Sequence, residues 1–389
     1  MMHPTKKSRS YALKFIFLIG IVSLFADITY EGARSVFGPF FLSLGASGAL
    51  IGAVMGFGEF VGYGVRLLSG YLTDQTRQYW LLTFVGYTIN LIAIPLLAFV
   101  DQPYMAALLI ILERFGKAIR SPARDTILSY ATAHVGRGFG FGVHESMDRI
   151  GALTGPLLMS GILFWKQSFH LGFALLAIPA ALALISLLIA RAIYPRPHEM
   201  ESSHPHLSAK GLDRSYWTYL LAVGLIAAGY VDFALIAFHF GKVSLMPVAW
   251  IPFIYALAMA VDGLASLLIG RLFDQKGWIV LPVATFVTAF FAPFAFFGGL
   301  SGAITGMVLW GIGLGTQQSV MRGLVAKLVS PNRRGAAYGW LNMSFGLFWF
   351  IGSAIMGLLY DRSPLYLVLF SVIAQLGAIP LLLSIRKRS

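Results

Sequence analysis

Long apolar runs alternate with short polar connections from one end of the chain to the other. The runs recur near 12–40, 48–72, 79–100, 103–128, 138–164 and 169–194, then near 216–242, 247–272, 279–298, 302–328, 336–360 and 365–386. A helix crossing the hydrocarbon core of a bilayer needs roughly 20 mainly apolar residues. The pattern therefore predicts an all-α membrane protein with twelve transmembrane helices. One connection is long and polar: residues 195–215 hold Pro195, Pro197, Pro205, Glu199 and Glu201. Its histidines, His198, His204 and His206, read as part of a solvated linker rather than a metal site.

The two sets of runs echo each other. Leu67–Gln75 (LLSGYLTDQ) matches Leu267–Gln275 (LLIGRLFDQ), after the second run and again after the eighth. A weaker echo pairs Arg137-Gly138 with Arg334-Gly335, Gly142 with Gly339, and Gly155 with Gly352. This predicts a six-helix bundle over 1–194, a cytoplasmic central loop over 195–215, and a second six-helix bundle over 216–389. The bundles are related by a parallel pseudo-twofold repeat, an arrangement that places a ligand between them near the bilayer midplane.

Composition narrows the class. With 58% hydrophobic and 12% charged residues and a mean hydropathy of +0.77, the chain is too apolar for a soluble domain. A net charge of +13 raises the question of nucleic acid, but the basic residues form no soluble module and nucleic acid is excluded as a partner. They mark one face of the membrane instead. Lys6, Lys7, Arg9, Arg77, Arg137, Arg196, Lys210, Arg214, Lys276, Arg333, Arg334, Arg386, Lys387 and Arg388 fall on the side of the termini. Lys166, Lys242 and Arg362 fall on the other. The asymmetry predicts an inner (plasma) membrane protein with both termini cytoplasmic. The first apolar stretch holds Asp27, Glu31 and Arg34 and no small-residue cleavage site, unlike a signal peptide. Cysteine is absent, which removes disulfide and thiolate chemistry. Trp165, Trp217, Trp250 and Trp278 near the run ends read as interface anchors.

Three short patterns carry a resemblance. Gly70-x-Leu72-x-Asp74, with Arg77 as its basic member, resembles the loop signature of the major facilitator superfamily, and Gly270-Arg271-Leu272-Phe273-Asp274 is similar to it. Gln78-Tyr79 stands where the family often has further basic residues. The resemblance implies a secondary transporter and a gating role for Gly70, Asp74, Arg77, Gly270 and Asp274, since an aspartate at a helix end can pair with helix N-termini or an arginine. In the fifth run, Gly151-Ala152-Leu153-Thr154-Gly155-Pro156 is similar to the Gly-x-x-x-Gly-Pro signature of proton-coupled antiporters, though Leu157-Leu158-Met159 follow where glycines would continue it. Arg114, followed by Gly116, resembles the helix-four arginine motif linked to proton coupling.

Charges at membrane depth are expensive, about 2.5–3.5 kcal/mol each on insertion scales, and mark function by default. Asp27, Tyr30, Glu31 and Arg34 share one helix face, as do Glu59, Tyr63 and Arg66. Glu113, Lys117, Arg120 and Arg124 form a stripe with Arg114 beside it, and Glu145, Asp148 and Arg149 follow with His144 adjacent. The expectation is a buried network of Asp27, Glu31, Arg34, Glu59, Arg66, Glu113, Arg114, Glu145, Asp148 and Arg149. Asp27, Glu31 and Asp148 would carry protons and Arg114 would compete with them. Tyr30, Asp232, His239, Gln317 and Gln318 are the candidate substrate contacts. No pair of histidines and no cysteine accompanies His239, so neither metal nor cofactor is expected.

No phosphate-binding loop, HExxH or serine-nucleophile pattern supports an enzyme. The reading is a monomeric secondary transporter that moves a small molecule by alternating access with protons as coupling ion. Drug or metabolite export is favoured over uptake symport of a metabolite, organic ion or metal chelate.

Overall fold

In lipid, a backbone must satisfy its own hydrogen bonds, and a single helix does so. The computed structural model describes residues 6–132, 135–195, 212–330 and 333–386, and they are almost wholly helical. The linker histidines lie outside the described residues, as does most of 195–215. In chain order the helices are α1 (Lys6–Arg34), α2 (Phe37–Ser43), α3 (Gly48–Thr76), α4 (Tyr79–Leu96), α5 (Pro103–Thr132), α6 (Arg137–Lys166), α7 (Phe169–Leu175) and α8 (Ala177–Ile193). They continue as α9 (Arg214–Gly229), α10 (Phe233–Lys242), α11 (Trp250–Lys276), α12 (Val280–Thr288), α13 (Phe291–Phe297), α14 (Gly299–Thr316), α15 (Arg322–Leu328), α16 (Arg334–Arg362) and α17 (Pro364–Arg386).

Every apolar run is helical, but several are divided. The first becomes α1 and α2, and the seventh becomes α9 and α10 with a non-helical step at Tyr230–Asp232. The tenth becomes α14 and α15, joined by a π-helical turn over Gln317–Met321. Among the described residues, nine helical stretches are long and apolar enough to cross a membrane. One of them, Trp250–Phe297, is 48 residues long and covers two of the expected runs. α5 and α6 are 30 residues each but too polar to qualify on composition. The reason is chemical: these two helices carry most of the intramembrane charge.

The chain packs as two compact units. One joins residues up to Arg34 with Gly64–Ser203, and the other joins Ser35–Tyr63 with His204–Ser389. In the first, α1 is the central element. Its Phe15, Ile16, Ile19, Val22 and Ala26 are buried against Tyr87 and Leu91 of α4, Ile127 and Leu128 of α5, and Ala183 and Leu187 of α8. In the second, α9 takes the same role. Tyr219, Val223 and Ile226 pack on Phe273, Val320, Met321, Leu324 and, from α17, Ala378 and Leu382. Side chains such as Leu67, Leu68, Leu267 and Leu268 are exposed, as are Trp165, Trp217 and Trp250.

α2 and the start of α3 are thus built into the second unit. Gly38 of α2 lies against the backbone of Ala234 and Phe238 in α10. Gly52 of α3 lies on the carbonyl of Ser353, and a Cβ there would also meet Gly357 Cα at 2.9 Å. Only a residue without a side chain lets backbones approach this closely.

Candidate functional site

In the first unit the polar faces of α1, α5 and α6 converge. α6 presses onto α1 through the Gly-x-x-x-Gly-Pro stretch. A Cβ at Gly151 would meet Asp27 Cβ at 2.7 Å, and one at Gly155 would meet Gly32 N at 2.8 Å. The motif therefore sets the distance at which α6 faces Asp27. Asp27, Tyr30 and Glu31 are buried. Asp27 lies within electrostatic reach of Asp148, Lys117 and Glu31. The Lys117 ammonium sits over the Tyr30 ring, 3.7 Å from its centroid.

One turn along α5, the guanidinium of Arg120 stacks on the Tyr87 ring at 4.1 Å. Arg124 then donates to Ser23 Oγ at 3.2 Å and holds the exposed Asp125 at 2.8 Å. Ser23 is shared: His144 Nε2 lies 2.8 Å from its hydroxyl, while His144 Nδ1 stands 3.6 Å from Asp148 Oδ2. Asp148 Oδ1 is buried without a hydrogen-bond partner among the described residues. The side chains of Asp148 and Arg124 keep 20% and 14% exposure, so the cluster is not sealed.

The other predicted members of the network sit elsewhere. Glu113 and Arg114 pair with each other at 3.3 Å. Asn90 of α4 donates to Glu113 Oε1 at 2.7 Å, which fixes that carboxylate between α4 and α5. The cations nearest Asp27 and Asp148 are Lys117, Arg120 and Arg124. Glu145 and Arg149 form an i,i+4 pair at 3.2 Å on an exposed face, with Glu145 62% exposed. Arg34 and Arg66 are partly buried and belong to the same unit, whereas Glu59 belongs to the other.

In the second unit, the non-helical step after α9 organises the polar side chains. Asp232 is buried and caps α10, its Oδ1 accepting from Ala234 N at 2.9 Å. Breaking a helix frees carbonyls, and each freed group needs a donor. Ser371 and, at 3.2 Å, Gln375 donate to Gly229 O. Trp310 Nε1 donates to Val231 O at 3.0 Å, and Tyr230 returns a bond to the Trp310 carbonyl.

His239 is held at both ends: Nδ1 lies 3.0 Å from Tyr360 OH and Nε2 lies 3.1 Å from Phe296 O. A carbonyl only accepts, so Nε2 carries the proton and Nδ1 receives the tyrosine hydroxyl. His239 thereby joins α10, α13 and α16. Asp232 and His239, expected as substrate contacts, are both engaged in holding helices. Among the described residues, no group of three or more His, Asp or Glu is placed to hold a metal ion. Gln317 and Gln318 lie in the π-helical turn, a distortion common at functional sites. Gln318 reaches the buried Asp262 at 3.4 Å, and Gln317 Oε1 is buried without a hydrogen-bond partner among the described residues. Tyr63 packs on Phe345 at 5.5 Å between centroids.

The repeated loop motif is symmetric in its packing. A Cβ at Gly70 would touch Pro122 of α5 at 3.8 Å, and one at Gly270 would touch Ser319 at 3.6 Å. Asp74, Arg77 and Asp274 are exposed, and Arg77 has a left-handed backbone (φ 53°). A carboxylate that the sequence reading did not single out makes a helix-end contact. Asp361, at the end of α16, accepts from Gly48 N at 2.7 Å and Ala49 N at 2.8 Å, capping α3.

Sequence reasoning also passed over Ser23, Tyr87 and Asn90. Each is an uncharged polar side chain within a membrane-spanning helix, and only its partner reveals its part. Lys117, Arg120 and Arg124 were visible as a stripe, and their spacing of three and four was the signal.

Comparison with known proteins agrees with this architecture. Residues 16–353 match the family model of the Major Facilitator Superfamily. An uncharacterized protein of Mycobacterium tuberculosis is 37% identical over 382 residues, covering 96% of this chain and 93% of that protein. An uncharacterized MFS-type transporter of Methanocaldococcus jannaschii is 26% identical, covering 95% and 94%. The crystal structure of a nucleoside transporter, NupG, has the same fold, with a TM-score of 0.75 at 18% identity and coverage of 96% and 98%. With a family model over most of its length and a relative of this identity along almost all of it, the chain belongs to the Major Facilitator Superfamily of membrane transporters.

Proposed function

We propose that this transporter is a proton-coupled carrier of a small molecule, and that Asp27 is the centre of its coupling. The observation that supports this is the burial of Asp27 where α6 presses onto α1, with the Lys117 ammonium over the neighbouring Tyr30 ring and with Glu31 and Asp148 within electrostatic reach. The proton affinity of a carboxylate depends on how near such charges stand. A conformational change that shifts α5 or α6 against α1 alters those distances and loads or unloads a proton. Asp148, beside His144 and Arg124, is the second carrier. Asp74 and Asp274 gate the cytoplasmic side, and both termini lie in the cytoplasm. Export is the direction we assign, on the resemblance of Gly151–Pro156 to antiporter sequences.

The test is proton movement in proteoliposomes loaded with a pH dye, challenged with a panel of amines, carboxylates and nucleosides. Asp27→Asn and Asp148→Asn should each abolish compound-driven proton movement while the protein stays folded and monodisperse. Unchanged proton movement in both variants overturns the assignment. The direction is read from the same vesicles, as the sign of the gradient that accelerates compound flux.

A further inference from the structure

Arg120 is a buried cation of the first unit with no ion pair among the described residues. It is 1% exposed, and its Nε and Nη1 have no hydrogen-bond partner among the described residues. Its contact is the face of Tyr87, at 4.1 Å. A cation held over a ring face is attracted through its charge, and that contact gives its N–H donors no acceptor oxygen. A guanidinium's N–H groups form a fork that can donate two parallel bonds to a carboxylate or phosphate. Lys117, three residues earlier on the same face, is likewise held by a ring, that of Tyr30, 3.7 Å from the centroid. Asp27, Glu31 and Asp148 offset these cations from a distance. Among the described residues, neither Asp27 nor Asp148 makes an ion pair with Lys117 or Arg120. Charge balance alone does not satisfy a buried donor; a hydrogen-bond acceptor does.

A static scaffold would pair Arg120, as Arg124 is paired with Asp125 and Arg114 with Glu113. A guanidinium over one tyrosine ring, next to an ammonium over another, leaves its donors for an acceptor that comes and goes. We propose that Arg120 and Lys117 form the subsite for an oxyanion group, and that the carried molecule is a small organic carboxylate or phosphate ester. This rests on the carrier reading and holds for either direction of transport.

The experiment uses four compounds that share one ring: benzoate, phenyl phosphate, benzyl alcohol and benzylamine. Thermal stability of the purified full chain in detergent is followed against concentration. Benzoate or phenyl phosphate should raise the melting temperature in a saturable way, and their order tells carboxylate from phosphate. The alcohol and the amine should not. Arg120→Gln should weaken anion binding roughly tenfold or more, the loss expected for a charged hydrogen-bonding pair. Arg120→Lys should keep part of it. If Arg120→Gln does not fold, Lys117→Gln and Arg120→Lys carry the test, each with weakened anion binding expected. Anions that fail to stabilise the wild type, or that bind these variants undiminished, overturn the proposal. Failure of the coupling reading is separate: it shows as unchanged proton movement in Asp27→Asn and Asp148→Asn, whatever the anion result.

Discussion

Replacing Asp361 with alanine should loosen the start of α3. The carboxylate accepts two backbone donors, from Gly48 at 2.7 Å and Ala49 at 2.8 Å, at the positive end of a 29-residue helix. A side-chain cap of this kind contributes about 0.5–2 kcal/mol, and the helix dipole adds about 0.3–1 kcal/mol for a surface anion. Asp361 is exposed, so solvent screens the pair and the lower half of the combined range applies, about 1–1.5 kcal/mol. That corresponds to a roughly five- to twelvefold rise in local opening. Hydrogen exchange of the Gly48–Met55 amides measures it. Faster exchange there, with the amides of α9 unchanged, is the expected result, and Asp361→Asn should fall between wild type and alanine. Equal protection in wild type and Asp361→Ala would show that Gly packing alone holds this seam, and the capping argument would be wrong.

Gly52→Leu drives a side chain into the Ser353 carbonyl, so overpacking should cost about 1–3 kcal/mol. Because the chain has no cysteine of its own, Ser353→Cys, at a site only 1% exposed, should label slowly with maleimide and faster when combined with Gly52→Leu. Asn90→Ala removes the 2.7 Å donor to Glu113 and should lower thermal stability by about 1–3 kcal/mol, the cost of an unsatisfied buried acceptor; calorimetry in detergent decides. Asp232→Asn keeps an acceptor for Ala234 N, whereas Asp232→Ala should lose about 1 kcal/mol as a helix cap. Equal stability of these two variants would remove the capping role of Asp232. His239→Phe keeps the ring on Phe296 but leaves Tyr360 OH and Phe296 O without their partner; a fall in melting temperature is expected, and an unchanged one would contradict its part in joining the helices.

Much of the architecture is written in local sequence because the bilayer imposes so few options. Helix existence and length follow from backbone hydrogen bonding in a medium without water. The apolar runs are accordingly all helical, though several are divided, and the Leu67–Gln75 and Leu267–Gln275 segments carry the resemblance to the family's loop signature. Intramembrane charge was equally legible, since Asp27, Asp148 and the α5 stripe have no place on a lipid-facing surface. What local pattern could not supply was partnership. Arg114 carried the family resemblance, yet its acid is its own neighbour Glu113, held in place by Asn90, 23 residues earlier in the chain. Asp232 and His239 were legible in the sequence only as polar residues on apolar helices. Their partners are the Ala234 amide, Tyr360 and the Phe296 carbonyl, the last exposed to them only through packing. Helical periodicity records which residues share a face. Which face meets which, and therefore that Arg120 meets Tyr87 rather than a carboxylate, is decided when helices distant in sequence are brought within a few ångströms by the glycines between them.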